Sequence, residues 1–293
     1  MAARYRIYQA DCIAWLARQK PCSVHAIVTD PPYGFVEYSA KEQQKLRRGR
    51  GGVWRLPPSL DGCERSPVPR FTVLDARDRE RLRQLFGELA RQALRVLVPG
   101  AHLFVATNPL LSHLVYGPLL TAGFEKRGEI IRLVQTLRGG DRPKNAHREF
   151  AGVTVMPRSA WEPWGLFRKP CEGRVQDNLR RWKTGALRRI SADQPFSDVV
   201  RSAPTRARER ALCPHPSLKP QAFMRQLVRA ALPLGEGVVL DPFMGGGSTI
   251  AAAIAVGYRA IGVEIDPRYV SLARRAIPRL AALGLGEAPR SAV

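Results

Sequence analysis

The hydrophobic pattern of this chain alternates between short apolar runs and longer stretches of helical periodicity. The run from Val24 to Thr29 is almost wholly apolar and stops at Asp30, which is typical of a buried parallel strand. Between Asp78 and Leu97 the leucines and alanines recur at helical spacing, which predicts an amphipathic helix ended by Pro99-Gly100. Strand and helix signals therefore follow one another from the start of the chain.

The same alternation continues toward the C-terminus. Further strands are predicted at 4–9, 102–107, 128–133, 162–167, 238–240 and 259–263, and further helices at 11–18, 110–122, 221–231, 248–256 and 269–283. Strands that alternate with helices build a parallel sheet that is covered on both faces. The pattern therefore predicts an α/β fold with a doubly wound, mostly parallel sheet.

Two basic, loop-rich stretches interrupt this alternation, at 36–74 and 171–213. The chain carries 47 Lys and Arg residues against 25 Asp and Glu residues, a formal net charge of +22. Such a surplus favours nucleic acid or an anionic membrane as partner. Membrane is the weaker alternative, because no apolar run reaches the roughly 18 residues of a span and the N-terminus lacks a signal-peptide pattern. We expect a soluble, cytoplasmic protein.

The five cysteines are scattered, and no C-x-x-C spacing occurs. Their odd number and their spacing argue against a disulfide framework and against a structural zinc site. Cys213 and His215 are close in the sequence, but two further ligands at metal spacing are missing. The sequence therefore predicts no metal site.

A glycine-rich turn near the C-terminus has the context of a nucleotide-like cofactor site. A predicted strand ends at Asp241, the turn runs from Phe243 to Gly247, and a helix begins at Ser248. Glycines let a backbone approach a ligand, and a helix N-terminus favours an anionic group. Glu264 ends the next predicted strand, where a carboxylate can accept hydrogen bonds from both ribose hydroxyls. The glycine spacing differs from the G-x-G-x-x-G of dinucleotide dehydrogenases, which favours a different ligand.

Asp11 and Cys12 follow the first predicted strand and extend this candidate site. Asp11 either contacts an adenine ring or caps the helix that follows it, and one residue can do both. The candidate cofactor contacts are Asp11, Cys12, Asp30, Asp241, Phe243, Gly245, Gly247, Ser248, Thr249, Glu264 and Ile265.

The segment Asp30-Pro31-Pro32-Tyr33 is suited to holding a flipped base by its amino group. That amino group is a poor nucleophile because its lone pair is conjugated into the ring. Asp30 and the Pro31 carbonyl, which Pro32 holds rigid, can accept its two N–H hydrogen bonds. Tyr33 can stack on the base. We predict these four residues as catalytic, against the alternative of a strand end with a helix-capping aspartate and a turn.

At these motifs the chain resembles the S-adenosylmethionine-dependent DNA amino-methyltransferases that modify adenine N6 or cytosine N4. The early Asp-Pro-Pro-Tyr motif and the late glycine turn follow the order of the family's β class. The segment from His215 to Pro220 is similar to the family segment that contacts the methionine part of the cofactor. The resemblance implies a Rossmann-like class I sheet of seven strands, S-adenosylmethionine as cofactor and direct methyl transfer. It adds His215, Ser217 and Lys219 to the cofactor contacts.

The resemblance also implies a division of the chain. Residues 1–35 and 75–170 form the catalytic half, 36–74 a basic insertion, 171–213 the target-recognition segment, 214–283 the cofactor half and 284–293 a tail. We expect double-stranded DNA to meet basic side chains of the intervening segments. The candidates are Arg47, Arg48, Arg50, Arg142, Lys144, Arg180, Arg181, Lys183, Arg188 and Arg189.

Several alternatives stay open at this point. Within the family, Asp at position 30 favours adenine N6, and cytosine N4 is the alternative substrate. An RNA amino-methyltransferase and a non-catalytic DNA-binding protein that kept the fold are two further interpretations. The β-class resemblance suggests a homodimer, and the family includes the modification enzymes of restriction–modification systems.

Overall fold

The computed structural model describes residues 4–32, 59–60, 63–64, 75–134, 142–143 and 145–284. Its strands are β1 (Tyr5–Gln9), β2 (Val24–Thr29), β3 (Ser59–Leu60), β4 (Cys63–Glu64), β5 (Leu97–Ala106), β6 (Glu125–Leu133), β7 (Trp161–Arg168), β8 (Val199–Arg201), β9 (Val238–Asp241) and β10 (Arg259–Glu264). Its helices are α1 (Cys12–Ala17), α2 (Ala76–Val96), α3 (Ser112–Thr121), α4 (Val175–Trp182), α5 (Ala207–Leu212), α6 (Gln221–Ala231), α7 (Ser248–Ala255) and α8 (Pro267–Ala281).

Eight of these strands form one sheet in the order β1-β10-β9-β2-β5-β7-β6-β8, while β3 and β4 pair separately. β7 runs antiparallel to both of its neighbours, and the other seven strands run in one direction. The predicted mostly parallel, doubly wound sheet is therefore confirmed. The resemblance implied seven strands; the eighth, β8, comes from the 171–213 segment.

The core lies on both faces of this sheet. One cluster packs α6, α7 and α8 against it, with Phe223, Ile250 and Ile277 fully buried. The other packs α1, α2 and α3 against the opposite face, with Leu16 and Phe86 fully buried. The regular apolar spacing in these helices explains why their positions were predictable from the sequence.

The prediction that Pro99-Gly100 separates a helix from a strand is wrong in detail. The helix α2 ends at Val96, and both residues lie inside β5, which begins at Leu97. The register between β2 and β5 shifts at this point. Gly100 has φ +75°, and its amide donates to the carbonyl groups of Lys169 and Pro170. A glycine in the left-handed region thus supports a local irregularity of the strand.

The segment 171–213 is loop-rich over most of its length, as predicted, but it also contains the short elements α4, β8 and α5. Most of the 36–74 insertion lies outside the described residues, as do residues 285–293. The predicted site residues Tyr33, Arg47, Arg48, Arg50 and Lys144 also lie outside them. None of the helices in the described part of the chain is long and apolar enough to cross a membrane.

Candidate active site

The carboxyl ends of the central strands meet where the strand order reverses, between β9 and β2. Within the eight-stranded sheet, the next strand along the chain after β2 is β5, which pairs with β2 on one side. The next strand after β9 is β10, which lies on the other side. Open α/β sheets bind ligands in the crevice at such a point. A pocket lies there, and it is lined by Asp30, His215, Ser217, Lys219, Met224, Asp241, Phe243, Met244, Gly245, Gly246, Ser248 and Thr249.

The ends of β2 and β9 are joined by a side-chain hydrogen bond. The Thr29 hydroxyl donates to Asp241 Oδ1 at 2.7 Å, and the Phe243 amide donates to the same oxygen at 3.1 Å. Burial raises the pKa of Asp241 to about 6, although hydrogen bonds from Thr249, Thr29 and Phe243 oppose the rise. Asp241, predicted as a cofactor contact, therefore also fixes the start of the glycine turn through its hydrogen bond with the Phe243 amide.

The glycine turn is shaped by close packing as well as by its own conformation. Gly245 and Gly247 have φ of +49° and +86°, which side chains other than glycine rarely adopt. A Cβ atom on Gly246 would lie 2.5 Å from Cys213 Sγ, and one on Gly245 would lie 2.9 Å from the His215 ring. These glycines are required by the segment beneath the turn, quite apart from any ligand.

Glu264 connects the turn to the end of β10. Its Oε2 accepts from the Gly245 amide at 3.0 Å and its Oε1 from the Asp266 amide at 2.8 Å. Each carboxylate oxygen has a second lone pair, so Glu264 keeps the capacity to accept from ligand hydroxyls. The adjacent Ile265 is 65% exposed, an unusual position for a large aliphatic side chain.

At the end of β1, Asp11 and Cys12 take different positions. The Asp11 carboxylate accepts from the Ala14 amide at 2.8 Å and caps α1, so the capping interpretation is confirmed. Cys12 is buried, and burial raises the pKa of its thiol to about 12. The Ala10 amide donates to the Glu264 carbonyl, which places this pair beside Glu264 and Ile265. An adenine contact by Asp11 stays a prediction.

The predicted cofactor segment around His215 borders the pocket on its other side. The His215 ring lies edge-on to Tyr269, with 4.4 Å between the ring centroids, and its Nδ1 accepts from the Ser217 amide. Burial lowers the pKa of His215 to about 4, so the ring is neutral at neutral pH. The Lys219 amide donates to Ser248 Oγ at 3.2 Å, which ties the segment to the start of α7.

Asp30 belongs to a chain of alternating charges that the sequence did not reveal. Lys219 Nζ lies 2.8 Å from Asp30 Oδ2 and 3.4 Å from Glu162 Oε2. Arg132 Nη1 lies 3.2 Å from the same Glu162 oxygen. From the sequence, Glu162 is predicted only as the start of a strand and Arg132 only as part of one. A carboxylate within the mostly apolar strand β7 is the signal that could have marked Glu162, whereas β6 is rich in charged residues and nothing in its pattern marks Arg132.

Charge and burial act in opposite directions on Glu162. Burial alone would raise the pKa of its carboxyl group. The nearby Lys219 and Arg132, with hydrogen bonds from Trp164 and Lys219, lower that pKa to about 2 instead. Glu162 is therefore ionised at neutral pH, and the described residues bring two carboxylates and two cations together at the pocket. Pro31 next to Asp30 is buried, whereas Pro32 is exposed.

The first part of the predicted target-recognition segment lies away from this pocket. The buried Asn178 of α4 donates to the Pro99 carbonyl at 3.0 Å, and Thr184 donates to it at 2.6 Å. Arg188 donates to the Tyr258 hydroxyl at 2.8 Å, just before β10 begins. Residues 171–190 thus line the amino-terminal edge of the sheet, and the structure does not bring their cations to the pocket. These cations are Arg180, Arg181, Lys183, Arg188 and Arg189.

The later part of the same segment returns to the pocket edge. β8 pairs with the end of β6, and the Ser202 amide donates to the Leu133 carbonyl. Arg201 and Arg208 are exposed there, and Arg142 is exposed in the connection between β6 and β7 that starts at the same edge. The two parts of the segment therefore lie at opposite edges of the sheet. Residues 171–190 lie at the amino-terminal edge, and the part that begins with β8 lies at the edge that carries the pocket.

This geometry suits a nucleoside-like ligand with a charged tail. Glu264 provides acceptors for hydroxyl groups, Ile265 an exposed apolar surface for a ring, and the N-terminus of α7, which follows the glycine turn, a position that favours an anionic group. No group of three or more His, Cys, Asp or Glu side chains that could hold a metal ion occurs within the ranges described. Asp30 directly follows the end of β2 and lines this pocket.

Comparison with known proteins identifies the family. The chain belongs to the DNA methylase family, whose model matches residues 24–275. It is 28% identical over 272 residues to the type II methyltransferase M2.DpnII of Streptococcus pneumoniae, covering 92% of this chain and 88% of the relative. Over 61 residues it is 41% identical to the DNA adenine methyltransferase YhdJ of Escherichia coli strain K12, covering 21% of this chain and 20% of the relative.

The fold has a counterpart among solved structures. TTHA0409 of Thermus thermophilus, in complex with S-adenosyl-L-methionine, superposes with a TM-score of 0.56 and 21% identity. The superposition covers 95% of this chain and 96% of that chain. At this level of identity the match establishes the shared class I methyltransferase fold.

Proposed function

We propose that this protein transfers a methyl group from S-adenosylmethionine to the exocyclic amino group of a flipped DNA base, with adenine N6 as the target. One observation carries the proposal. The Asp30 carboxylate lies 2.8 Å from Lys219 Nζ, and both residues line the pocket together with the glycine turn, whose Gly245 amide donates to Glu264. The carboxylate proposed as the amino-group acceptor therefore adjoins the proposed cofactor pocket, which supports this function for a chain of the DNA methylase family.

The residues of the pocket fit the cofactor part by part. Glu264 accepts hydrogen bonds from the ribose hydroxyls, and Ile265 packs against the adenine ring, with Asp11 and Cys12 beside it. The N-terminus of α7 faces the methionine carboxylate, to which His215, Ser217, Lys219, Ser248 and Thr249 are the adjacent polar side chains. When bound, S-adenosylmethionine supplies a methyl group on a positively charged sulfur.

Asp30 and its neighbours prepare the amine. The Asp30 carboxylate and the Pro31 carbonyl accept its two N–H hydrogen bonds and hold the nitrogen in line with the methyl group. Tyr33, three residues after Asp30, stacks on the flipped base. While the methyl–sulfur bond breaks and the methyl–nitrogen bond forms, the nitrogen would become positively charged; the Asp30 carboxylate would stabilise that charge until one proton passes to solvent. No covalent bond between the protein and the base is needed.

Adenine is the proposed target base because position 30 is Asp and because the relative YhdJ is named a DNA adenine methyltransferase. Cytosine N4 is the alternative, since its amino group presents the same two N–H donors. Modification-sensitive sequencing of DNA from a host that expresses the chain distinguishes the two bases and returns the recognition site. N4-methylcytosine without N6-methyladenine would replace the proposed target.

Double-stranded DNA approaches the carboxyl edge of the sheet in this proposal. The exposed Arg142, Arg201 and Arg208 lie at that edge, and Lys144 and the basic insertion with Arg47, Arg48 and Arg50 are connected to it. Their charges neutralise phosphates and position the duplex without reading its sequence. A homodimer remains part of the proposal, and light scattering of the purified chain tests it.

The test of the whole proposal is transfer of labelled methyl groups from S-adenosylmethionine to duplex DNA. Transfer to DNA is expected, and transfer to single-stranded RNA in preference to DNA would favour the RNA alternative. Calorimetry provides the second readout. Binding of S-adenosylmethionine without DNA is expected, whereas binding of NAD and not of S-adenosylmethionine would overturn the cofactor assignment.

A further inference from the structure

Four side chains of alternating charge lead from the interior of the sheet to the pocket, in the order Arg132, Glu162, Lys219 and Asp30. The side chains of Arg132 and Glu162 are 6% and 20% exposed, and those of Lys219 and Asp30 are 14% and 18% exposed. Charges that are this far withdrawn from water interact more strongly than surface pairs, and they depend on correct geometry. Among them, Glu162 has no role in the function proposed above.

Glu162 is held from the side away from the pocket. Trp164 Nε1 donates to its Oε1 at 2.8 Å, and the Trp164 ring is fully buried against Phe223, with 5.4 Å between ring centroids. Arg132 approaches its other oxygen and is itself fixed, because it donates to Ser202 Oγ at 3.0 Å and to the Ala203 carbonyl at 3.2 Å. Glu162 is therefore a rigid anchor between β6 and β7.

The Lys219 side chain, unlike that of Glu162, is long and flexible. Its ammonium group is carried by four methylene groups and takes a single position only when fixed partners hold it. The backbone of Lys219 is tied to Ser248, but that contact leaves the side chain free to rotate. Glu162 supplies the fixed partner at 3.4 Å, and from that position the ammonium reaches Asp30 at 2.8 Å.

We infer that Glu162 is a positioning residue, which acts through Lys219 to hold the Asp30 carboxylate in the orientation that receives the target amino group. The inference rests on the proposed function, because that function makes Asp30 the acceptor. Without Glu162 the ammonium is no longer held in one position, so its contact with Asp30 Oδ2 varies and the acceptor is oriented less precisely. A displacement of the acceptor by about 1 Å can lower a rate by roughly 100-fold.

The test compares Glu162→Gln with a matched control on the same pair of strands. Glu125→Gln breaks the ion pair in which Arg168 Nη2 lies 2.6 Å from Glu125 Oε2. This pair joins β6 and β7 at the end of the two strands that lies away from Arg132 and Glu162. Three quantities are measured for each purified variant: the single-turnover rate of methyl transfer, the Kd of S-adenosylhomocysteine and the melting temperature. Glu162→Gln is expected to lower the rate about 10- to 100-fold while the Kd stays within about twofold. Glu125→Gln is expected to leave both unchanged.

A double-mutant cycle separates positioning from a merely structural role. If Glu162 acts only through Lys219, then Lys219→Met with Glu162→Gln is no slower than Lys219→Met alone. Two results would overturn the inference. One is a double mutant whose loss of rate is the product of the two single-mutant losses, and the other is a Glu162→Gln rate equal to that of the wild type. If Glu162→Gln fails to fold, Glu162→Asp takes its place. Glu162→Asp keeps the negative charge but draws the carboxylate back from Arg132 and Lys219, which contact the same Glu162 oxygen, and the same rate loss is expected.

A second readout does not depend on methyl transfer. In protein with ¹⁵N-labelled lysine, the Lys219 ammonium is expected to exchange hydrogen with water several-fold faster in Glu162→Gln than in wild type, and at the wild-type rate in Glu125→Gln. An unchanged exchange rate in Glu162→Gln would overturn the inference. If the wild-type chain methylates no DNA but the exchange rate does change, the proposed function fails while the contact stands.

Discussion

The Thr29 hydroxyl donates a 2.7 Å hydrogen bond to Asp241, two residues that are 212 positions apart in the chain. Thr29 is the last residue of β2 and directly precedes Asp30, while Asp241 ends β9 and precedes the glycine turn. The bond spans the point at which the strand order reverses. The hydrogen bond therefore fixes the position of Asp30, the proposed acceptor of the target amine, relative to the glycine turn of the proposed cofactor site.

Removal of this bond should affect both halves of the site. Thr29→Val keeps the shape of the side chain but leaves the buried Asp241 with one donor fewer, which should destabilise the protein by about 1–3 kcal/mol. The affinity for S-adenosylhomocysteine should fall as well, because Asp241 also holds the Phe243 amide. Denaturant unfolding and calorimetry measure the two effects. Thr29→Ser retains the hydroxyl and should behave as wild type; equal losses in both variants would contradict this explanation.

The raised pKa of Asp241 makes a specific contribution to the pH dependence of stability. Folding raises this pKa from 3.8 to about 6, so the contribution is fully present below pH 3.8 and is lost as the pH rises through about 6. Asp241→Asn cannot titrate and retains an acceptor oxygen for Thr29. Its stability relative to wild type should therefore increase between about pH 4 and pH 8, on the order of 2 kcal/mol. Denaturant unfolding at both pH values measures the change, and a pH-independent difference would exclude titration of Asp241 as its cause.

Two glycine-to-alanine substitutions should have opposite signs. In Gly246→Ala the new methyl group would meet Cys213 Sγ at 2.5 Å, so the protein should lose roughly 1–3 kcal/mol and the glycine turn should shift. Gly87 lies in α2 with no atom within 4 Å of the new Cβ. Gly87→Ala should therefore stabilise the protein by up to about 1 kcal/mol. Melting temperatures compare the two, and a stabilising Gly246→Ala would show that the turn is not tightly packed.

Asp30 should separate chemistry from cofactor binding. Asp30→Ala should abolish methyl transfer, because the target amino group loses its acceptor, while S-adenosylhomocysteine still binds. The remaining Lys219 keeps Glu162 as its partner, so the fold should tolerate the change. Single-turnover assays and calorimetry supply the measurements. Retention of more than a small fraction of the wild-type rate would remove Asp30 from its proposed role.

The basic residues of 171–213 lie at two edges of the sheet, so their substitution tests which edge contributes to DNA binding. The sequence alone predicts that substitution of Arg180 and Arg181 relaxes DNA recognition, but both lie on α4 at the far edge. Their joint replacement by alanine should leave DNA affinity within about twofold. Replacement of Arg201 and Arg208 at the pocket edge should weaken binding and reduce the salt slope by about two. Filter binding over a salt series measures both pairs, and the reverse result would restore α4 as the recognition element.

The positions of the elements followed closely from periodicity. The helix at 221–231 and the strand at 24–29 were predicted with their observed limits, because their apolar residues face the core at regular spacing. The local pattern does not predict that Pro99-Gly100 lies inside β5, nor that 171–213 contains α4, β8 and α5. There the chain is shaped by partners distant in sequence, such as the Asn178 amide bound to the Pro99 carbonyl. Local propensity carries no information about such partners.

The sequence by itself determined the class of fold, the family resemblance and the two motifs of the candidate site, because each depends on residue types at short spacing. The tertiary structure decided which residues meet. Asp30, Glu162 and Lys219 come from three distant segments, and only the arrangement of β2, β7 and the turn before α6 brings their charges within 4 Å. It also moved Arg180 and Arg181 away from the pocket, since the edge of the sheet that a loop occupies depends on strand direction and not on local composition.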